Sequence, residues 1–190
     1  MFEGALFYND IKNLIIFDNQ IGRFEQYSDA KSYGLELSMS SQITRNLLGR
    51  LSYTYLEAEN NGSIVFISYD YLPGKGLSYV PDEIPYRPKH KIDMDFDYSF
   101  DNGLRISLNG SYVSSQIFYD KEDTTDNTVF VAKKRSLDGY LLLNTKISYD
   151  FMKHYQVFIA VDNLLDEAYQ DIYLSPEPGL ATWLGVKFKI

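Results

Sequence analysis

The feature that most constrains this chain is a strict alternation of apolar and polar residues. In HKIDMDFDYSF (90–100), apolar side chains fill the even positions from Ile92 onward and polar side chains fill the odd ones. Because successive side chains of a strand point to opposite faces, the pattern predicts a strand with one apolar and one polar face. The same alternation, regular or nearly so, recurs in seven further segments, at 2–16, 32–40, 47–57, 104–112, 141–150, 155–162 and 184–190.

The three aspartates of this stretch also match the opening of a calcium-binding loop. Such a loop needs Gly at its sixth position and Glu at its twelfth, which are Tyr98 and Leu104 when counted from Asp93. On a strand, alternate carboxylates are spaced about 6.6–7 Å apart, too far to chelate one small ion together. We therefore predict that Asp93, Asp95 and Asp97 line a polar face, and we predict no metal site.

The lengths of the runs and of their connections indicate a membrane barrel. Runs of roughly 9–12 residues suit a tilted strand that crosses the hydrocarbon, whereas strands of soluble sandwiches are more often about 5–6 residues long. Connections at 40–46, 100–103 and 150–154 are short, while those at 57–89, 117–136 and 164–180 are long, and 17–30 is intermediate. Short turns on one edge and long loops on the other are typical of outer-membrane barrels.

Composition narrows the possible functions. A net charge of −8 argues against nucleic-acid binding, and the lack of cysteine excludes disulfides, thiolate metal sites and cysteine nucleophiles. Tyrosines fall near strand ends, where an aromatic girdle would lie, at Tyr53, Tyr55, Tyr98, Tyr112 and Tyr149.

The fold class predicted is all-β, an antiparallel transmembrane barrel segment of about eight strands in up-and-down order. A soluble sandwich or lipocalin-like barrel is the alternative, since alternation alone does not identify the face that meets water.

No enzyme site is predicted from the residues. His90 and His154 are the only histidines and should lie at opposite ends of the strands, so neither a shared metal nor a catalytic triad is expected. No cofactor is expected either. The aromatic residues of the long loops are the candidate ligand contacts, because tyrosine offers a large contact area with a hydrogen-bonding tip. These candidates are Tyr69, Tyr71, Tyr79, Tyr86, Phe118 and Tyr119, and the alternative for each is loop packing.

The segment VDNLLDEAYQDIYLSPEPGLATWLGVKFKI resembles the end of TonB-dependent outer-membrane receptors. The family's Asn-Leu-x-Asp-x-x-Tyr box falls at Asn163, Leu164, Asp166 and Tyr169, and its Pro-Gly turn at 178–179. Leu180 stands where the family usually has Arg. Gly185, Phe188 and Ile190 keep the spacing of the barrel-assembly signal, although the last residue is usually Phe. The segments at 30–59 and 84–100 are also similar to the family's strands and turns.

The resemblance implies that residues 1–190 are one C-terminal segment of a barrel of about 22 strands in a Gram-negative outer membrane. The plug and the box that engages TonB belong N-terminal to this region and are not expected here. The parent would import a scarce ligand such as a ferric siderophore, haem or cobalamin, with TonB and the plug as partners only in the full-length protein. Lipid bilayer and a small molecule such as a metal chelate are the other implied partners.

Two questions stay open at this point. The segment could close as an eight-stranded barrel, or pair edge to edge with a second copy. A self-contained small barrel with a structural or adhesive role and an outer-membrane hydrolase are the alternative functions.

Overall fold

The computed structural model describes residues 1–18, 23–60, 65–68, 76–79, 83–123, 130–152 and 154–188. Within these ranges the chain is all-β and contains no helix long and apolar enough to cross a bilayer. The strands are β1 (Phe2–Asp18), β2 (Arg23–Thr44), β3 (Leu47–Asn60), β4 (Val65–Ser68), β5 (Gly76–Tyr79), β6 (His90–Ser99), β7 (Leu104–Val113), β8 (Gln116–Asp123), β9 (Phe130–Leu137), β10 (Tyr140–Phe151), β11 (Tyr155–Asp162) and β12 (Ala181–Phe188).

Eight of these strands form one antiparallel sheet, in the order β1-β2-β3-β6-β7-β10-β11-β12. They are the eight strands that the alternation predicts, and each pairs with the next along the chain once the loop hairpins are set aside. The up-and-down fold class is therefore confirmed. Turns at one end are short: the backbone N–H of Gly103, whose φ is 89°, donates to the carbonyl of Phe100 at 3.2 Å.

The sheet is open. Among the described residues, the outer strands β1 and β12 pair only with β2 and β11, not with each other. The single chain is therefore not a closed eight-stranded barrel. Each outer strand presents a row of backbone N–H and C=O groups that a bilayer does not hydrogen-bond, so both edges need further strands.

One face of the sheet is apolar and exposed. Leu51, Met94, Gly110 and Leu143 lie side by side across β3, β6, β7 and β10 in the observed register. Large apolar side chains along this face keep a third or more of their surface exposed, among them Leu51, Phe96, Leu108, Ile147, Ile159 and Leu184. A soluble sandwich would bury this face, and a continuous apolar surface of this kind belongs in contact with lipid.

The aspartates of β6 lie on the opposite, polar face and bond to the neighbouring strand. Asp93 accepts a hydrogen bond from the Ser111 hydroxyl at 2.8 Å, and Asp97 accepts one from Ser107 at 2.7 Å. Between them, Asp95 accepts from the Asn109 amide at 2.9 Å. These cross-strand bonds to β7 replace part of the hydration of each carboxylate, so no metal ion is needed to hold them in a row.

Two features depart from the sequence-based expectations. The predicted loops at 57–89 and 117–136 contain hairpins, β4–β5 and β8–β9, which form separate two-stranded sheets. The alternation misses β8–β9 because its paired segments carry charges on both faces. The predicted connection at 17–30 is also wrong: β1 and β2 stay paired out to Asp18 and Arg23, whereas β3 leaves β2 at Ala30. At roughly 3.3 Å per residue, this hairpin extends well beyond a bilayer.

The loop between β11 and β12 is clamped at its base by Asn163, which is 5% exposed. Its side-chain oxygen accepts from the Glu167 N–H at 2.9 Å, and its amide donates to the carbonyls of Glu167 at 2.9 Å and Pro178 at 3.3 Å. Asp166 closes the other side by accepting from the Leu180 N–H at 2.9 Å. The two residues thus join the beginning and the end of the loop, and we call Asn163 and Asp166 the clamp.

The clamp is also tied to the polar face of the sheet. The Asn163 N–H donates to the side-chain oxygen of Asn144 at 2.8 Å, and the Asn144 amide donates to Asn109 at 3.0 Å. Asn109 in turn donates to Asp95. An unbroken chain of hydrogen bonds therefore connects the loop base to the middle of β6, so the loop is positioned by the sheet itself.

Gly185 makes room for an aromatic ring on the polar face. It pairs with Phe158 across β11 and β12, and a Cβ atom at Gly185 would lie 2.3 Å from Cζ of Phe158. The ring is covered by Lys146, whose Nζ lies 4.6 Å from the ring centroid, and approached by Lys187 at 5.9 Å. A side chain at this glycine therefore displaces a cation–π contact.

Replacing Asn163 with Leu should loosen the β11–β12 loop. The substitution leaves the partly buried N–H and C=O of Glu167 without their partners, a loss on the order of 1–3 kcal/mol for each group where water does not replace the bond. We expect faster proteolytic cleavage within 163–180 and a lower urea midpoint for the protein folded in detergent. Asn9→Leu, at an exposed asparagine of β1, is the control, and equal cleavage rates for both variants would refute the clamp.

Gly185→Ala should lower stability by about 1–3 kcal/mol, because the new methyl group forces the Phe158 ring out of its place. Phe158→Leu in the same chain should recover part of that loss. The measurement is the urea midpoint of protein refolded in detergent, which involves no assembly machinery and so reports packing alone. A single Gly185→Ala variant as stable as the parent would contradict this account.

Candidate ligand-binding site

Three segments converge at the long-loop end of the sheet. They are residues 83–89, the β8–β9 hairpin and the loop 163–180. The backbone N–H of Tyr86 donates to the carbonyl of Ile117 at 2.9 Å, which joins the first segment to the hairpin. The Gln116 amide donates to the carbonyl of Asp171 at 2.8 Å, which joins the hairpin to the loop. Together they form one packed layer.

The interior of this layer is aromatic and aliphatic. Phe118 is 2% exposed and stacks on Tyr173, with ring centroids 4.4 Å apart, and on Tyr86 at 6.4 Å. Ile84, in the first segment, and Leu137, at the end of β9, are also buried. Almost all the buried apolar residues of the described chain lie at this end, so the layer has a small hydrophobic core of its own.

The structure brings together three of the six ligand contacts predicted from the loops. Tyr86, Phe118 and Tyr119 lie in the layer, and the Tyr119 hydroxyl lies 3.5 Å from the carbonyl oxygen of Glu83. Phe118 packs inside, where its ring supports the hairpin. Tyr69 and Tyr71 lie outside the described residues, and for Tyr79 only the backbone at the end of β5 is described. Ligand contact by these six residues stays a prediction.

A cleft of about 520 Å³ opens beside β9, and we call it the basic cleft. Its lining includes Lys133, Lys134 and Arg135, together with the aromatic residues Phe118 and Tyr173. The three cationic side chains are exposed, and Lys134 forms a salt bridge with Glu83 at 2.9 Å. A cleft of this size with cationic and aromatic walls can hold a compact anionic ligand.

A second cleft of about 560 Å³ adjoins it, and we call it the acidic cleft. Its walls carry the carboxylates of Asp138, Glu167 and Glu177 and the rings of Tyr140 and Tyr169, whose centroids are 4.5 Å apart. Both clefts are lined by Asp138 and Gln170. One extended ligand could therefore contact both clefts.

The pKa of a loop tyrosine reports the electrostatic character of the acidic cleft. Burial, and next the carboxylates of Glu177 and Asp171, raise the pKa of Tyr169 above its usual value.

A separate ion pair lies at the end of β3. The hydrogen bond to Glu57 at 2.5 Å raises the pKa of Lys89, but the Lys89 side chain is 46% exposed, so the pair contributes little to stability.

No group of three or more His, Asp and Glu side chains in the described part of the chain is arranged to hold a metal ion. His90 lies at the long-loop end, where its Nδ1 is 2.9 Å from the Tyr53 hydroxyl, and His154 lies at the opposite, short-turn end.

Of the side chains that line these clefts, the sequence-based prediction includes Phe118 but none of the others. It marked 164–180 as a long loop but selected no ligand residue from it, although Tyr169 and Tyr173 are aromatic in the same way as the chosen candidates. The run Lys133-Lys134-Arg135 was a visible signal, because it is a cationic triplet in an acidic chain. The cationic run of β9 and the tyrosines of the loop 163–180 lie side by side only because segments distant in sequence pack together.

Three solved structures have a similar fold. The ferripyoverdine receptor of the outer membrane of Pseudomonas aeruginosa is 12% identical, with a TM-score of 0.69 over 98% of this chain and 25% of that chain. The ferric-catecholate import receptor Fiu from Escherichia coli K12 is 21% identical, with a TM-score of 0.66 over 97% and 24%. The siderophore receptor PiuA from Acinetobacter baumannii is 19% identical, with a TM-score of 0.68 over 98% and 26%.

The chain spans about a quarter of the length of these structures. The family described as TonB dependent receptor-like, beta-barrel, matches residues 1–164, which is most of the sequence. This match agrees with the open meander, with the exposed apolar face and with the box at Asn163. The chain belongs to the TonB-dependent receptor family and forms part of its β-barrel.

Proposed function

We propose that residues 1–190 form the C-terminal segment of the barrel of a receptor that imports a scarce ligand across a Gram-negative outer membrane. Family membership and the exposed apolar face support this location. The open edges at β1 and β12 support pairing with further strands of the same barrel, and a second copy is the alternative partner for those edges. Energy for import would come from TonB, acting on the full-length protein with its plug.

The basic cleft is the observation that supports the proposed class of ligand. Lys133 and Arg135 together with Tyr173 offer positive charge beside an aromatic surface, which suits an anionic metal chelate. The similar proteins include one bound to ferripyoverdine, one named for ferric-catecholate import and one named as a siderophore receptor. We therefore favour a ferric siderophore over haem or cobalamin.

The other two functions have less support. A self-contained structural or adhesive barrel would need β1 to pair with β12, and these strands do not pair within the described residues. A hydrolase would belong to a different class from the receptors and transporters to which the chain is similar. No particular feature of the described residues favours either.

Reversing one charge of the basic cleft should weaken ligand binding. For Arg135→Glu we expect about a tenfold loss of affinity for a ferric tris-catecholate, or ~1.4 kcal/mol, measured by titration of the full receptor in detergent. Added salt should reduce the difference in affinity between the variant and the parent receptor, because salt screens charges and the Debye length is already only about 8 Å at physiological ionic strength.

The matched control is Arg45→Glu, which makes the same charge change in the short turn at the other end of the sheet. If Arg45→Glu and Arg135→Glu lowered the affinity equally, net charge would be the cause and the basic cleft would lose its assigned role.

Import and binding should separate when TonB is removed. Cells without TonB should still bind radiolabelled ferric chelate through this receptor but accumulate none, since binding uses the barrel loops and import needs energy. Cells that accumulate the chelate equally with and without TonB would refute the proposed transport.

A further inference from the structure

The acidic cleft has no role in binding an anionic chelate. Its three carboxylates, Asp138, Glu167 and Glu177, form no salt bridge with any cationic side chain in the parts of the chain that are described. They surround a cavity of about 560 Å³, which is within the usual range for a small organic ligand. The cleft therefore combines unpaired negative charge with enough space for a ligand group.

Two aromatic rings line this cleft beside the carboxylates. The rings of Tyr140 and Tyr169 are inclined by 43°, and the Tyr140 hydroxyl donates to the carboxylate of Asp171 at 2.5 Å. An aromatic face is electron-rich and attracts an ammonium or guanidinium group placed over it. The pKa of Tyr169 is raised first by burial and then by the negative charges of Glu177 and Asp171.

The backbone that carries Glu167 and Glu177 is also held in place before any ligand arrives. Glu167 is fixed through both backbone groups by Asn163, and the Glu177 N–H donates to the carbonyl of Tyr169 at 3.0 Å. Asn163 also binds the carbonyl of Pro178, next to Glu177. Because the clamp fixes both ends of the loop, little ordering is left to oppose binding.

We propose that the acidic cleft binds an organic cation, a primary ammonium or a guanidinium, carried by the same ligand whose anionic chelate occupies the basic cleft. This inference rests on the proposed function, and it deepens it by naming a ligand with charges of both signs. The two clefts share Asp138 and Gln170, so a single molecule reaches both. A bare metal ion is the poorer occupant, because the described carboxylates form no metal-holding group.

The test compares two probes on the full receptor in detergent by calorimetric titration. One probe is a ferric tris-catecholate with a primary-ammonium arm, and the other is the same chelate with that amine acetylated. The wild-type receptor should bind the ammonium probe about tenfold more tightly. Glu167→Gln combined with Glu177→Gln should abolish this preference, whereas Glu177→Asp, which keeps the charge, should retain most of it.

The matched control is Glu3→Gln combined with Glu36→Gln, two carboxylates that line a separate cavity on β1 and β2, and it should keep the preference. Equal binding of both probes by the wild-type receptor overturns this inference without any variant, and so does a preference that survives in the Glu167/Glu177 double variant. Neither result contradicts the role in ligand binding that is proposed for the basic cleft. Failure of both probes to bind the wild-type receptor overturns the proposed function, and this inference falls with it.

Discussion

Backbone hydrogen bonding in a medium without water is the constraint on which this structure depends. Within lipid every N–H and C=O must find a protein partner, and strands satisfy the requirement only by pairing with neighbours on both sides. Among the described residues, the six inner strands of the meander pair with a neighbour on each side, whereas β1 and β12 pair on one side only. The open edges and the exposed apolar face both indicate that the segment functions within a larger barrel.

The polar face turns that sheet into a support for the loops. Hydrogen bonds cross from Asp95 through Asn109 and Asn144 to Asn163, so the base of the β11–β12 loop is fixed to three strands. The box at the C-terminal end of the family's sequences thereby acquires a structural explanation here, as the clamp that joins the two ends of this loop. Residues on three strands thus determine the position of the loop that carries Glu167 and Glu177.

The long-loop end combines rigid aromatic packing with two clefts of opposite charge. Phe118 and Tyr173 form the packed interior, and the charged side chains of β9 and of loop 163–180 lie around it. The ligand proposed here carries charges of both signs and so matches the two clefts better than a ligand with either charge alone, because opposite charges attract across an interface.

The sequence by itself determined the eight strands, their order and which side chains share a face, because side chains alternate between the two faces with a period of two. It also placed Asp93, Asp95 and Asp97 on the polar face. It did not predict the β8–β9 hairpin, whose paired segments lack the alternation, or the extension of β1–β2. Only the tertiary structure decided that Lys133, Tyr140 and Glu177 border adjoining clefts, because loop packing joins residues that are distant along the chain.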